Sequence, residues 1–401
     1  NMSVEHDEMV LEDLEGLGPE GAESSSDGEA EEQEEMEQGE PERIVEDDSW
    51  HSFEGHQDAV LAVAWSPAHP DMVATGGMDD RAFLWRVGQD AFETTEGSLA
   101  TFELAGHTDS VAALNFNSTG TLLATGGMDG VVKVWNTADG QLVNTLEGPG
   151  DAIEWLCWHP KGNVVLAGSQ DMTMWMWAAE TGQCMQVFSG HSGTIISGQF
   201  TADGKTVVSV GGDDDCSLRV WNPKTGECTV TVSGYPFHET GVTCLGVHHE
   251  GKICITGADN GTVRICNIQP ATKQHVLASI NWSEESIEAV GFSLHQPLCA
   301  SGGVDGFLRI WDYNTTTIER SKCEHPDVIN RLAWHPTQPL VYTSCMDGIA
   351  RCWDLRTGGL VRQYTGHKQG IQDLALSPDG SMLLSGSDDF TAKVFLTAGS
   401  E

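Results

Sequence analysis

From Trp50 onward the apolar positions follow one short rhythm that recurs along the chain. In residues 106–136, "VAALNF" alternates with a period of two and ends at "NSTG". "LLATGG" resumes the apolar pattern, "MDG" breaks it, and "VVKVWN" restores it before a looser segment, "QLVNTLEG". A period of two belongs to a half-buried strand, and short Gly-, Asn- and Asp-rich breaks are turns. Each unit therefore predicts four short antiparallel strands, and no unit shows helical spacing. Aligned copies end at Trp85, Trp135, Trp177, Trp221, Cys266, Trp311, Trp353 and Phe395, with spacings of 50, 42, 44, 45, 45, 42 and 42 residues. One small sheet leaves both its faces bare, and stacking eight around an axis buries them against each other. The predicted fold is all-β, an eight-bladed β-propeller spanning residues 49–401. The last unit stops at its third strand, near Val394 and Phe395, while residues 49–55 ("SWHSFEG") belong to no unit. That orphan segment is expected to supply the missing fourth strand and so remove an open sheet edge.

Polar residues repeat in register with the strands. Asp79, Asp129, Asp171, Asp215, Asp305, Asp347 and Asp389 lie six residues before the terminal aromatic, with Asn260 as the exception. His56, His107, His191, His238, His325 and His367 lie four residues before a Val or Ile. These Gly-His and Trp-Asp signatures, literal at Trp311-Asp312 and Trp353-Asp354, resemble the WD40 repeat family. The resemblance implies that each His donates to the turn Asp and connects, through a Ser or Thr, to the terminal Trp. Thr75, Thr125, Thr256, Ser301, Thr343 and Ser385 hold that hydroxyl position. The third unit has Pro149 for the His and Ala167 for the hydroxyl, a joint loss expected of a coupled polar network. Because His and Asp recur once per blade, they lie too far apart to form a catalytic or metal centre. No nucleophile motif, phosphate loop or metal-ligand spacing appears, so no enzyme activity, cofactor or metal is expected.

Charge changes the picture of the partner. The chain carries 60 acidic residues against 20 Lys and Arg, a net −40. Residues 1–48 hold 20 Asp and Glu against Arg43 alone, a net −19, and no aromatic residue. Such a segment cannot offset its ordering entropy by burial, and is expected to be a disordered acidic tail. Subtracting it leaves −21 for residues 49–401. With no cation excess to release counterions, direct nucleic-acid binding is not expected, and anionic membranes repel the chain. Basic proteins are the natural partners. No apolar run approaches the ~18 residues of a membrane-spanning helix, and the acidic start resembles no presequence. The 11 scattered Cys, with no CxxC pair, read as buried free thiols in a reducing compartment. The expectation is a cytoplasmic monomer, with the nucleus as a second location.

Aligning the first strands exposes the candidate site. The position after the repeated Val or Ile reads Leu61, Ala112, Glu154, Ile196, Thr243, Glu288, Asn330, Gln372. Glu154 and Glu288 thus fall on innermost strands near the channel mouth, where a carboxylate is costly unless it meets a cation or donor. Either Arg331 or backbone groups satisfy them, or they dock a partner's Lys or Arg. Asp58, Asp109, Asp151, Glu285 and Asp327 lie in loops of the same rim, and Asp214, Asp259 and Asp388 precede the turn position. Trp155 is a candidate aromatic anchor able to stack on Arg, or else an inter-blade packing residue. "IEWLCWHP" (153–160), "VLAGSQDMTMWMW" (165–177), "VYTSCMDGIARCWDLRTG" (341–358) and the acidic leader are similar to the angio-associated migratory cell protein family. That family includes a fungal ribosome-assembly protein dedicated to ribosomal protein L-ten. The resemblance implies a chaperone that captures the basic N-terminal segment of a nascent large-subunit ribosomal protein. A histone-binding or chromatin-complex propeller, or an adaptor in a ubiquitin-ligase or signalling complex, are the alternatives.

Overall fold

The computed structural model of the protein describes residues 46–89, 94–95, 98–99, 101–315 and 319–397. The predicted disorder of the tail concerns residues that lie outside these, apart from its last three. Among the described residues all regular structure is β, and eight four-stranded antiparallel sheets follow one another along the chain. Blade 1 comprises Val60–Trp65, Met72–Gly77, Ala82–Arg86 and Thr101–Leu104. A small hairpin, Thr94–Thr95 with Ser98–Leu99, interrupts it before the fourth strand, which accounts for the first spacing of 50 residues.

The core consists of eight seams, each shared by two consecutive blades. Val132 and Leu146 of blade 2 pack with Ile153 and Trp177 of blade 3. Phe53 and Val394 of blade 8 pack with Val60 and Trp85 of blade 1. The paired glycines that end many second strands serve this packing through space rather than through special dihedrals. A Cβ on Gly126 would lie 2.7 Å from Ile153 of the next blade, and one on Gly127 would lie 2.5 Å from His107.

The ring closes as the sequence predicts. His51–Phe53 pairs antiparallel with Ala392–Leu396, with His51 opposite Val394 and Phe53 opposite Ala392. The closing segment starts earlier than the predicted boundary at residue 49. Asp47 binds Lys393 at 2.6 Å, and Asp48 accepts from the Thr365 amide at 2.7 Å. Val63 of blade 1 also donates its amide to Asp373 of blade 8, at 2.9 Å.

The His networks form as the resemblance implies in blade 2. His107 Nδ1 lies 3.1 Å from Asp129 and Nε2 lies 2.8 Å from Thr125, whose hydroxyl also receives the Trp135 indole N–H at 2.9 Å. Blade 4 repeats this with Ser209, a hydroxyl absent from the predicted set. Burial alone would raise the Asp215 carboxyl. Hydrogen bonds from His191, Ser217 and the Ser192 amide instead hold it well below the usual carboxylate range. In blade 3 the joint loss leaves no orphan: Asp171 accepts from the Gly150 amide and Thr173, and Trp177 turns to the Glu147 carbonyl. Blade 6 departs from the coupling rule. Ser283 stands four residues before Ile287 in place of a His, yet Ser301 and Trp311 remain, the Ser301 hydroxyl and the Trp311 indole N–H both without a hydrogen-bond partner among the described residues.

These buried histidines make the fold acid-sensitive. Burial, then the charge of Arg264, lowers His238 to about 3, and burial with Arg351 lowers His325 to about 4. Both titrate near 6.5 when unfolded. Below pH ~6.5 the unfolded chain therefore binds more protons, and stability is lost as pH falls towards the folded values. Each is expected to cost ~2 kcal/mol at pH 5. Urea midpoints at pH 7 and pH 5 check this, and an unchanged midpoint contradicts it. The lowered aspartates act only in a more acidic window, below their unfolded value of 3.8.

The cysteine expectation needs correction. All 11 are free, but Cys184 is exposed and Cys157, Cys216 and Cys228 are partly so. Cys157 and Cys228 pack at the margin of the seam between blades 3 and 4.

Candidate functional site

The residues that matter at the channel mouth are placed there by a repeated irregularity. In every blade the first and second strands lose register just after the first paired residue: between Val60 and Ala62, Ile153 and Trp155, Ile287 and Ala289, and so on. The extra residue of such a bulge leaves the ladder and its side chain is re-aimed. It is Leu61, Ala112, Glu154, Ile196, Thr243, Glu288 and Gln372 in seven blades, while blade 7 skips both Asn330 and Arg331. The column singled out by alignment is therefore the bulge column.

Several bulges also tie neighbouring blades together. The Asn330 side-chain Nδ2 donates to the Ile371 carbonyl at 3.1 Å, and the Thr243 hydroxyl donates to the Ile287 carbonyl. Trp155, next to a bulge, donates its indole N–H to the Ile195 carbonyl at 2.9 Å. Of its two readings, anchor or inter-blade packing, the structure shows the packing one. Trp155 is 9% exposed and packs in the seam between blades 3 and 4. Its indole occupies space left by Gly168 and Gly198, where an added Cβ would lie 2.3 and 2.2 Å from the ring. A ring so enclosed, with its N–H satisfied, has no free face for a partner's Arg.

A cleft of about 510 Å³ opens beside these bulges, lined by Glu154, Gln170, Asp213, Asp214, Asp259 and Glu288 together with Thr194, Ile196 and Thr243. Five carboxylates from four consecutive blades share it, and neither Lys nor Arg is among its lining residues. Glu154 accepts from the Gln170 side chain at 2.5 Å. Glu288 has no hydrogen bond or ion pair among the described residues. Arg331, considered as an internal partner for these glutamates, turns instead to Asp373 at 3.5 Å. Burial pushes the Asp373 carboxyl up, against the pull of Arg331.

The other predicted acids are not brought into the cleft. Asp58, Asp109, Asp151 and Asp327 hold one equivalent loop position, where each accepts from the amide of the following residue at 2.8–2.9 Å. Glu285 is exposed in the blade 6 loop, and Asp388 is bound by Gln372 at 2.9 Å. Asp213 was not predicted, although a signal existed. Val73 pairs with Trp85, and Leu123 with Trp135, across 12 residues, but Val207 pairs with Trp221 across 14. Asp213 and Asp214 are the two additional residues of that longer turn. Asp213 is further fixed by the Gly241 amide at 3.0 Å.

Like charges converging in one cleft repel each other and raise the local concentration of cations. The arrangement suits a flexible cationic side chain entering from solvent, such as Lys or Arg in a peptide.

Proteins of similar sequence and fold are known. The chain is 35% identical over 300 residues to human angio-associated migratory cell protein, an alignment covering 72% of this chain and 66%, just under two thirds, of that protein. The solved structure of Chaetomium thermophilum Sqt1 superposes with a TM-score of 0.80 at 26% identity, covering 89% of this chain and 99% of the other. Sqt1 of the same organism bound to the N-terminus of the ribosomal protein L10 gives 0.79 at 26% identity, covering 88% and 100%. The profile of the WD domain, G-beta repeat family matches eight segments, 48–86, 98–136, 140–178, 182–222, 226–267, 274–312, 317–354 and 358–395. In sequence, in blade count and in its His-Asp networks, the chain belongs to the WD40 repeat family.

Proposed function

We propose that this chain is a non-enzymatic capture platform for a basic protein segment, and that its client is the N-terminal segment of a newly made large-subunit ribosomal protein. The observation that carries the proposal is the cleft lined by five carboxylates and no cation. The likeness to Sqt1, whose structure with the N-terminus of ribosomal protein L10 is known, supports the choice of client. An acidic cleft would shield a nascent basic segment from RNA and other polyanions until it is delivered. Capture then belongs in the cytoplasm, where such proteins are made, and needs neither cofactor nor metal.

The test is a calorimetric titration with a synthetic peptide of that ribosomal N-terminus, beside a histone-tail peptide of equal charge. Affinity for the ribosomal peptide should fall at least tenfold when salt rises from 0.1 to 1 M, as the Debye length shrinks from ~10 to ~3 Å. Salt-insensitive binding would point to an adaptor role, and tighter binding of the histone peptide to a chromatin role.

A further inference from the structure

One turn recurs eight times on the rim that carries the acidic cleft, between the second and third strands of each blade. Its first residue donates its amide to the loop carbonyl just before the first strand: Met78 to Ala59, Met128 to Ser110, Gln170 to Ala152 and Asp388 to Gly370, all at 2.8–3.0 Å. The turns of blades 3 to 5 contribute Gln170, Asp213, Asp214 and Asp259 to the cleft. The turns of blades 8, 1, 2 and 3 differ. They expose Phe390, Met78, Met128 and Met172, at 44%, 48%, 44% and 45%, while the smaller Val304 of the blade 6 turn stands apart from this run at 41%. Four consecutive blades thus present bulky apolar side chains to solvent, and the run meets the cleft at blade 3, where Met172 and Gln170 share a turn.

Backbone conformation sets two of these residues apart. Met172 and Phe390 have φ of 69° and 70°. Blades 2, 5, 6 and 7 use Gly130, Gly261, Gly306 and Gly348 at the equivalent place, with φ between 71° and 80°, and blades 1 and 4 place the polar Asp80 and the small Cys216 there, at 62° and 45°. A left-handed conformation is unfavourable for a bulky side chain, and such outliers cluster at functional sites. Glycine would relieve the strain, and both side chains stay nearly half exposed despite it.

We propose that these four turns form an apolar docking arc continuous with the acidic cleft, and that they hold the apolar half of a single client segment whose other half is rich in Arg or Lys. The inference rests on the function proposed above and adds to the client's chemistry: it is basic at one end and bears large apolar side chains at the other. Methionines suit this role because their flexible thioethers adapt to varied shapes.

The test compares two peptides of equal charge, one built of Arg, Gly and Ser, the other with Leu replacing the Ser at one end. Fluorescence anisotropy should show the wild type binding the Leu peptide about tenfold or more tightly. Two double variants, Met172→Gly with Phe390→Gly and Met78→Gln with Met128→Gln, should abolish that preference and leave affinity for the Arg-Gly-Ser peptide unchanged. The glycine variant should also melt at the same or a higher temperature than the wild type. A preference missing from the wild type, a preference retained in either variant, or a lowered melting temperature in the glycine variant would overturn the docking arc. Failure of the wild type to bind the Arg-Gly-Ser peptide at all would instead count against the acidic cleft as the capture site.

Discussion

Replacing Phe53 with Ala is expected to lower the unfolding free energy by about 3–5 kcal/mol, the cost of emptying a fully packed aromatic site. Phe53 is 1% exposed, and its ring stacks on Trp85 at 4.8 Å with an interplanar angle of 6°. It thereby joins the last blade to the first. Removing residues 46–53 altogether should cost more. That deletion also strips the Asp47–Lys393 ion pair and leaves Ala392–Leu396 as an open edge, which invites aggregation. Urea unfolding of Phe53→Ala and size-exclusion chromatography of the deletion variant are the measurements. A wild-type midpoint for the first, or a monodisperse monomer of full stability for the second, would show that the ring does not depend on its closing strand.

Charge reversal at the bulges is expected to give the largest effect on binding. Glu288→Lys places a cation in a cleft whose other carboxylates would otherwise receive the client's Arg or Lys. Loss of one charge-assisted contact is worth roughly 1.5–3 kcal/mol, about one to two decades in affinity. Folding should change little, because Glu288 has no internal partner among the described residues. Glu154→Lys should weaken binding similarly while forfeiting only the hydrogen bond to Gln170. Titration with the basic peptide and a thermal melt of each variant separate the outcomes. Unchanged affinity in both variants would remove the cleft as the client site, and a large fall in melting temperature would assign the glutamates a structural role.

Much of this architecture is legible in the sequence because it repeats. Eight copies of one strand pattern, with His and Asp held in register, leave few other ways to bury the apolar faces. The orphan segment around His51–Phe53 follows from counting strands. What escapes is whatever depends on one blade's neighbour or on ladder register. Trp155 can be read as an anchor or as a packing residue until Gly198, 43 residues later, is seen to make room for it. The bulges explain why Glu154 and Glu288 face the mouth, yet a one-residue slip in pairing leaves no mark in composition or periodicity. Of the predicted acids, Glu154, Glu288, Asp214 and Asp259 converge. Asp58, Asp109, Asp151 and Asp327 instead hold an equivalent loop position that repeats for backbone reasons.

The non-covalent clasp between the two ends of the propeller also sets a timetable for synthesis. Asp47 and Lys393 are 346 positions apart, so the contact that completes the ring cannot form until the final strand has been translated. At ~5–20 residues per second, the first-made strand waits about 20–70 s for its partner. Until then the emerging chain is an open arc, with the blade 1 face around Val60, Phe83 and Trp85 uncovered. An uncovered apolar face and an unpaired strand edge of this kind are prone to associate with other chains for as long as they wait.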